Sequence, residues 1–143
     1  MKVATILQDK GAKVTTLEGD TSLEDAIKAL AQHRIGAVVI LDAQEHIAGV
    51  FSERDAVRAI SEEGADALRR PISDLMTRKV ISCSREDSLD QVLEQMTEGR
   101  FRHLPVVEGG QLCGIISIGD VVKLKIASTE SEAEALREYI TTG

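Results

Sequence analysis

The residues best suited to chemistry in this 143-residue chain fall in two short runs, Gly49-Val50-Phe51-Ser52-Glu53-Arg54-Asp55 and Gly114-Ile115-Ile116-Ser117-Ile118-Gly119-Asp120. Both follow the pattern Gly-x-x-Ser-x-x-Asp. Each lies where an apolar, strand-like run gives way to helical spacing. A carboxylate in a first helical turn is favoured by the helix dipole. It can also accept two hydrogen bonds at once from a vicinal diol such as ribose. The serine hydroxyl and the free amides of that turn suit a sugar or a phosphate. The same residues make good helix caps, so capping and ribose binding both stand as readings. Arg102 and His103 precede the apolar run Leu104–Val107. Guanidinium and imidazole donors there suit a phosphate, or form a solvated charge cluster. The first copy has Gly36 and Ala37 at that place, and Arg54 beside Asp55 restores one cation.

Catalytic patterns are missing from the sequence. It holds no Gly-x-Ser-x-Gly elbow, HExxH, Walker loop or GxGxxG fingerprint. A Ser117–His103–Asp120 assembly is the one nucleophilic arrangement the residue types allow, and nothing in their order supports it. Glu53, Glu62, Glu63 and Asp66 read as a solvated helix face. Binding without turnover is the expectation.

The elements that must position these residues come in two copies. A shift of 66 residues lays Val14 on Val80, Ser22 on Ser88, Leu23 on Leu89 and Arg34 on Arg100; after the hairpin turn the shift is 65, laying Gly49 on Gly114, Ser52 on Ser117 and Asp55 on Asp120. Each copy reads β-α-β-β-α. The first strands are expected at Val14–Leu17 and Val80–Cys83. The first helix has Thr21 as N-cap with Glu24 reaching back, and its counterpart has Asp87 as cap. The hairpins pair Ala37–Leu41 with Ile47–Phe51, and Leu104–Val107 with Leu112–Ser117 across Gly109-Gly110. Continuous apolar runs imply strands buried on both faces, while Pro105 belongs to an edge strand or a strand start. Second helices follow near Glu53–Glu63 and Gly119–Ala127. Ile72–Met76 is a helical lead-in to the second copy, with Met1–Gln8 as its counterpart. The C-terminal stretch is a separate amphipathic helix whose Ala133, Leu136 and Ile140 dock on the core or on a partner.

The expected fold class is therefore α/β (α+β): two such repeats packed with pseudo-twofold symmetry, small mixed sheets flanked by helices, and a C-terminal helix. The repeats occupy residues 1–66 and 67–127, the last helix 128–143. Hydrophobic residues make up 43% of the chain, enough for a core, while aromatics are 2%, too few for base-stacking platforms. The net charge of −7 and pI near 5.0 exclude a general polyanion binder, so no nucleic-acid role is expected. No apolar run spans a bilayer, which points to a cytoplasmic protein with no membrane role. Cys83 and Cys113 have no metal spacing and read as reduced core thiols.

The repeated motifs QHRIGAVVILD…GVFSERD and GRFRHLPVVEGG…GIISIGDVV, with DLMTRKV between them, resemble those of CBS domains. The whole chain resembles a stand-alone bacterial tandem CBS pair (Bateman module), over about residues 3–127. The resemblance implies a regulatory module rather than an enzyme, with no required cofactor. It implies an adenosine-containing ligand such as AMP, ADP, ATP, S-adenosylmethionine or NAD(H), and signalling to a separate protein target. In such a module Asp55 and Asp120 would hold ribose hydroxyls, and Ser52, Ser117 and Thr77 would contact ribose or phosphate. Arg54, Arg102 and His103 would face phosphates. Asp55 would work with Thr77, Val80, Phe101, Arg102, His103 and Pro105; Asp120 with Val14, Ile35, Gly36 and Ala37. The apolar members of these sets would hold the adenine. A homodimer through the second helices is the assembly the resemblance implies. The Asp120 cleft lacks cations matching Arg102 and His103, so phosphate is expected at Asp55.

Overall fold

The computed structural model describes residues 1–11 and 13–142. Ala12, in the expected first repeat, and Gly143, in the expected last helix, lie outside them. The chain forms two compact units. One is nearly contiguous, Lys13–Ser82 with Gly109–Leu112; the other is split, Met1–Ala12 with Cys83–Glu108 and Cys113–Gly143. The units therefore cross the sequence boundary expected at 66/67.

In the contiguous unit, strand β1 (Thr16–Glu18) leads to helix α2 (Leu23–His33), the hairpin β2 (Ala37–Leu41) and β3 (Ile47–Ser52), and helix α3 (Glu53–Glu63). Strand β1 runs parallel to β2 with Leu17 opposite Ile40. Strand β2 is antiparallel to β3 with Ala37 opposite Ser52. The helix between the parallel strands is the crossover that parallel pairing requires. Four of the five β2 residues are buried, as the continuous apolar run implied. The N-cap of α2 is Ser22, whose hydroxyl accepts the Asp25 amide at 3.1 Å. Thr21, expected in that role, sits one residue too early. Leu23, Leu30, Val38, Ile40, Phe51 and Ile72 fill the core. Each such side chain contributes roughly 1.5–3 kcal/mol on burial.

The split unit repeats this plan with helix α4 (Leu89–Gly99), strands β4 (His103–Glu108) and β5 (Gln111–Ser117), and helix α5 (Ile118–Thr142). Ser88, not Asp87, caps α4 in a reciprocal box with Gln91. Asp87 instead accepts the Ser84 amide at 2.9 Å. Both α2 and α4 end on an arginine in the left-handed region, Arg34 and Arg100. Positive φ at Gly109 and Gly110 makes the tight β4–β5 turn.

The strand expected at Val80–Cys83 is reduced to one parallel bridge, Cys83 to Val106. This is the Leu17–Ile40 pair of the first copy moved on by 66 residues. In the first copy the Val39 amide donates to the Thr15 carbonyl at 3.4 Å. The residue matching Val39 is Pro105, which has no N–H to give Ile81. Cys83 keeps its two bonds, to the Pro105 carbonyl and the Val107 amide. Pro105 thus lies inside β4, on the edge that carries only this bridge. Burial, then the nearby Asp87 and Cys113, push the Cys83 thiol up to about 12; both cysteines are free.

The lead-in segments are exchanged between the copies. Residues 70–73, expected to open the second repeat, bond to the first: Leu23 N–H to Arg70 C=O, Ile72 N–H to Thr21 C=O, and Ser73 N–H to Gly19 C=O, at 2.8–2.9 Å. The chain start makes the same three bonds to the second repeat: Leu89 N–H to Met1 C=O, Val3 N–H to Asp87 C=O, and Ala4 N–H to Arg85 C=O, at 2.9–3.0 Å. Ile72–Asp74 is one 3₁₀ turn, whereas the chain start is a full helix, α1 (Val3–Lys10). Helix α5 also differs from expectation. It runs unbroken through residue 128, and residues 129–141 are all exposed, so the C-terminal stretch is not docked on this core. Among the described residues no helix is long and apolar enough to cross a membrane.

Each lead-in presses on a glycine. A Cβ on Gly49 would meet Met76 Sδ at 2.6 Å and the Thr77 carbonyl oxygen at 2.8 Å; one on Gly114 would meet only the Leu7 side chain, at 2.6 Å. A side chain can turn away and a paired backbone carbonyl cannot. Gly49→Ala should therefore cost about 2–3 kcal/mol of stability and Gly114→Ala about 1 kcal/mol or less. Urea melts of the two variants showing equal losses, or the reverse order, would contradict this packing.

Candidate functional site

The Ser52–Asp55 turn joins β3 to α3. The Asp55 side chain is buried, with 4% exposure. Its Oδ2 accepts the Ser52 backbone N–H at 2.9 Å and the Ser52 hydroxyl at 3.3 Å, and Oδ1 pairs with the Arg58 guanidinium. Sequence reasoning missed Arg58; its spacing, one turn after the aspartate, was the available signal. Arg54 lies exposed in the first turn of the helix. Thr77 is anchored close by, its N–H and C=O exchanging bonds with Val50 at 2.9 and 3.0 Å. Gly36 and Ala37 border the same turn: the Gly36 carbonyl accepts the Glu53 amide at 3.0 Å, and Ala37 is opposite Ser52. Ile35 packs partly on the core of this unit. Val14 and Val80 are half-buried.

The Ser117–Asp120 turn repeats the arrangement between β5 and α5. Asp120 Oδ2 accepts the Ser117 amide at 2.8 Å, and Ser117 Oγ accepts the Asp120 amide at 3.1 Å. The Arg102 carbonyl accepts the Ile118 amide at 2.8 Å, as Gly36 does for Glu53. Arg102 is exposed, His103 is half-buried at the start of β4, and Pro105 is buried. The Phe101 ring packs partly on the core of this unit. The structure thus sets each hairpin entrance beside the Ser–Asp turn of its own copy.

The two carboxylates differ in their cations. Helix α1 delivers Lys10, whose Nζ lies 2.8 Å from Asp120 Oδ2. Around this pair lies a cavity of about 320 Å³ lined by Ile6, Asp9, Lys10, Asp120, Lys123, Leu124 and Ala127. That volume lies within the range of small-molecule sites. No cations were expected to match Arg102 and His103 at Asp120; the structure puts two other cations at this cavity. Lys10 and Lys123 supply them, and Lys10 comes from a segment whose partner the sequence does not reveal.

Partial burial pushes the Asp120 carboxyl up, but the Lys10 ammonium and the Ser117 amide and hydroxyl outweigh it, so the group titrates below its ordinary value. A carboxyl lowered by folding adds stability above its unfolded pKa, and that stability fades as the pH falls through the folded one. Lys10→Met should cost a few tenths to about 1 kcal/mol near neutrality. In thermal melts across pH 3–8 the gap to wild type should close at the acid end. A gap that does not change with pH would mean the lost methylenes, not the ion pair, carry the effect.

The CBS domain family model matches residues 9–62 and 72–127, the two sequence repeats. A CBS-domain containing protein from Agrobacterium tumefaciens is 46% identical in sequence, with a TM-score of 0.86, over 87% of this chain and 99% of that one. A mitochondrial CBS domain-containing protein of Arabidopsis thaliana is 34% identical over 128 residues, 87% of this chain; the chain spans 62% of that relative's length. The CBS domain pair of protein MJ0100, solved in complex with 5′-methylthioadenosine and S-adenosyl-L-methionine, is 25% identical with a TM-score of 0.77, over 87% of this chain and 98% of that one. With two family matches on the two copies of one β-α-β-β-α plan, this chain belongs to the CBS domain family and is a tandem CBS pair.

Proposed function

We propose that this pair is a regulatory module that binds an adenosine-containing ligand (AMP, ADP, ATP or NAD(H)) and relays its presence to a separate protein, without turnover. The observation that carries the reading is the Asp120 carboxylate, with Oδ2 fixed by the Ser117 amide on the wall of a cavity of about 320 Å³. A fixed carboxylate on a cavity wall is what a ribose diol needs. The MJ0100 pair holds adenosine compounds, which supports this ligand class. Ser117 contacts ribose or phosphate, and Lys10 and Lys123 offer the phosphate donors. At Asp55 a ribose displaces Arg58, whose side chain is 60% exposed and able to swing onto the phosphate. Thr77, Ser52 and Arg54 complete that half-site. Arg102 and His103 serve phosphates, and Val14, Ile35, Gly36, Ala37, Val80, Phe101 and Pro105 the adenine.

A second reading has its own support, because both Ser–Asp pairs demonstrably hold the start of a helix. In that reading the carboxylates are caps only and the protein is a dimerisation module. Calorimetric titration with adenosine, AMP, ATP and NADH separates the two. Asp120→Ala and Asp55→Ala should each weaken binding at their own site by about 10- to 100-fold. Lys10→Ala should weaken AMP and leave adenosine nearly unchanged. Unaltered affinities in both aspartate variants would leave the capping reading alone.

The assembly we propose is a homodimer through α3 and the first turns of α5, where Val57, Ile60, Val122 and Ile126 are exposed. Sedimentation at tens of micromolar protein should show a dimer that Val57→Asp weakens. A species that stays monomeric throughout would rule this assembly out.

A further inference from the structure

We propose that the distal half of α5, beyond Ile126, pairs with the same segment of a second copy of this chain as a parallel, two-stranded coiled coil. This goes beyond the dimer surface named above and does not depend on nucleotide binding. The first observation is exposure. Residues 129–141 form helix with every residue open to solvent, and Leu136, Tyr139 and Ile140 are 60%, 76% and 68% exposed. A helix segment of this length gains too little from its own hydrogen bonds to hold firmly without packing.

The second observation is spacing. Val122, Ile126, Thr129, Ala133, Leu136 and Ile140 are separated by alternating steps of four and three residues. That is an a/d seam, which keeps one stripe facing a partner along the whole length. Val122 and Ile126 are themselves 41% and 53% exposed, so the stripe is open from end to end.

The third observation is charge, and it selects the occupant. In this register Lys125 and Glu132 take g positions, and Glu130 and Arg137 take e positions. In a parallel pair a g residue faces the e residue five places on in the other chain. Lys125 then meets Glu130 and Glu132 meets Arg137, each twice by symmetry, every pair of opposite sign. Lys125 also bonds Asp90 within its own chain at 2.9 Å, so the Glu132–Arg137 pairs are the cleaner test. The remaining acids, Glu134 and Glu138, fall at b and f, away from the seam. The flanks are therefore neutral and self-complementary although the segment as a whole is acidic.

Sedimentation equilibrium of the full chain tests this. Glu132→Arg replaces two attractive contacts by two repulsive ones and should raise the dimer dissociation constant about tenfold. Adding Arg137→Glu in the same chain should restore it. Leu136→Asp, at the centre of the seam, should weaken the dimer at least as much. All these positions are exposed, so melting points at monomeric concentrations should stay at the wild-type value. Ile140→Cys should form a symmetric disulfide under mild oxidation, as parallel alignment requires. A dissociation constant unmoved by Glu132→Arg and Leu136→Asp overturns the proposal. So does failure of the double variant to recover, or cross-linking of Ile140→Cys only to a Val122→Cys chain, which would show antiparallel helices.

Discussion

A carboxylate tied to the backbone amide three residues before it sets the geometry of both copies. The amide belongs to the last residue of a strand and the carboxylate to the first turn of a helix. Their bond, 2.9 Å at Asp55 and 2.8 Å at Asp120, fixes the angle at which the helix leaves the hairpin. That angle carries Ala56 and Ala59 into one core and Val121 into the other. Because the bond uses Oδ2 alone, the second oxygen is left to other chemistry. In the first copy Oδ1 pairs with Arg58, and in the second Oδ2 also takes the Lys10 ammonium.

The copies diverge through small backbone differences. One proline at the place of Val39 removes a single donor, and a three-residue strand shrinks to a bridge. One lead-in stops after a 3₁₀ turn and lets Thr77 join the edge of β3. The other continues as a helix for two more turns and brings a lysine onto Asp120. The shared Gly-x-x-Ser-x-x-Asp pattern alone does not distinguish the two sites. Asp120 takes its lysine from a segment 110 residues away, while Asp55 pairs with Arg58 one turn on.

Much of this fold was legible in local pattern. Apolar periodicity located both hairpins and α3, because strands buried on both faces and amphipathic helices leave unlike signatures. The Ser–Asp motifs were legible for the same reason, since strand-to-helix junctions have a fixed chemistry. Caps were misplaced by one residue at Thr21 and Asp87, where adjacent residues have equal capping power and only the backbone decides. The Val80–Cys83 strand was overread because Pro105 was weighed for its own strand and not for the neighbour it deprives. Lys10 escaped notice because its partner is a tertiary fact, and Arg58 because its spacing from Asp55 was not weighed. The continuous α5 was divided because its distal residues have no core to announce them.

The exchange of lead-ins has a consequence for the order in which the protein takes shape on the ribosome. Nearly all of the contiguous unit, residues 13–82, can close as soon as it has left the exit tunnel, apart from the short Gly109–Leu112 piece. Helix α1, made before this unit, finds its partners only at Arg85–Leu89, Gly114 and Asp120. For some eighty to a hundred further residues, several seconds of synthesis, Val3, Ile6 and Leu7 have no core to enter. A segment made before the contiguous unit is buried after it, and its apolar face is the surface a chaperone would meet.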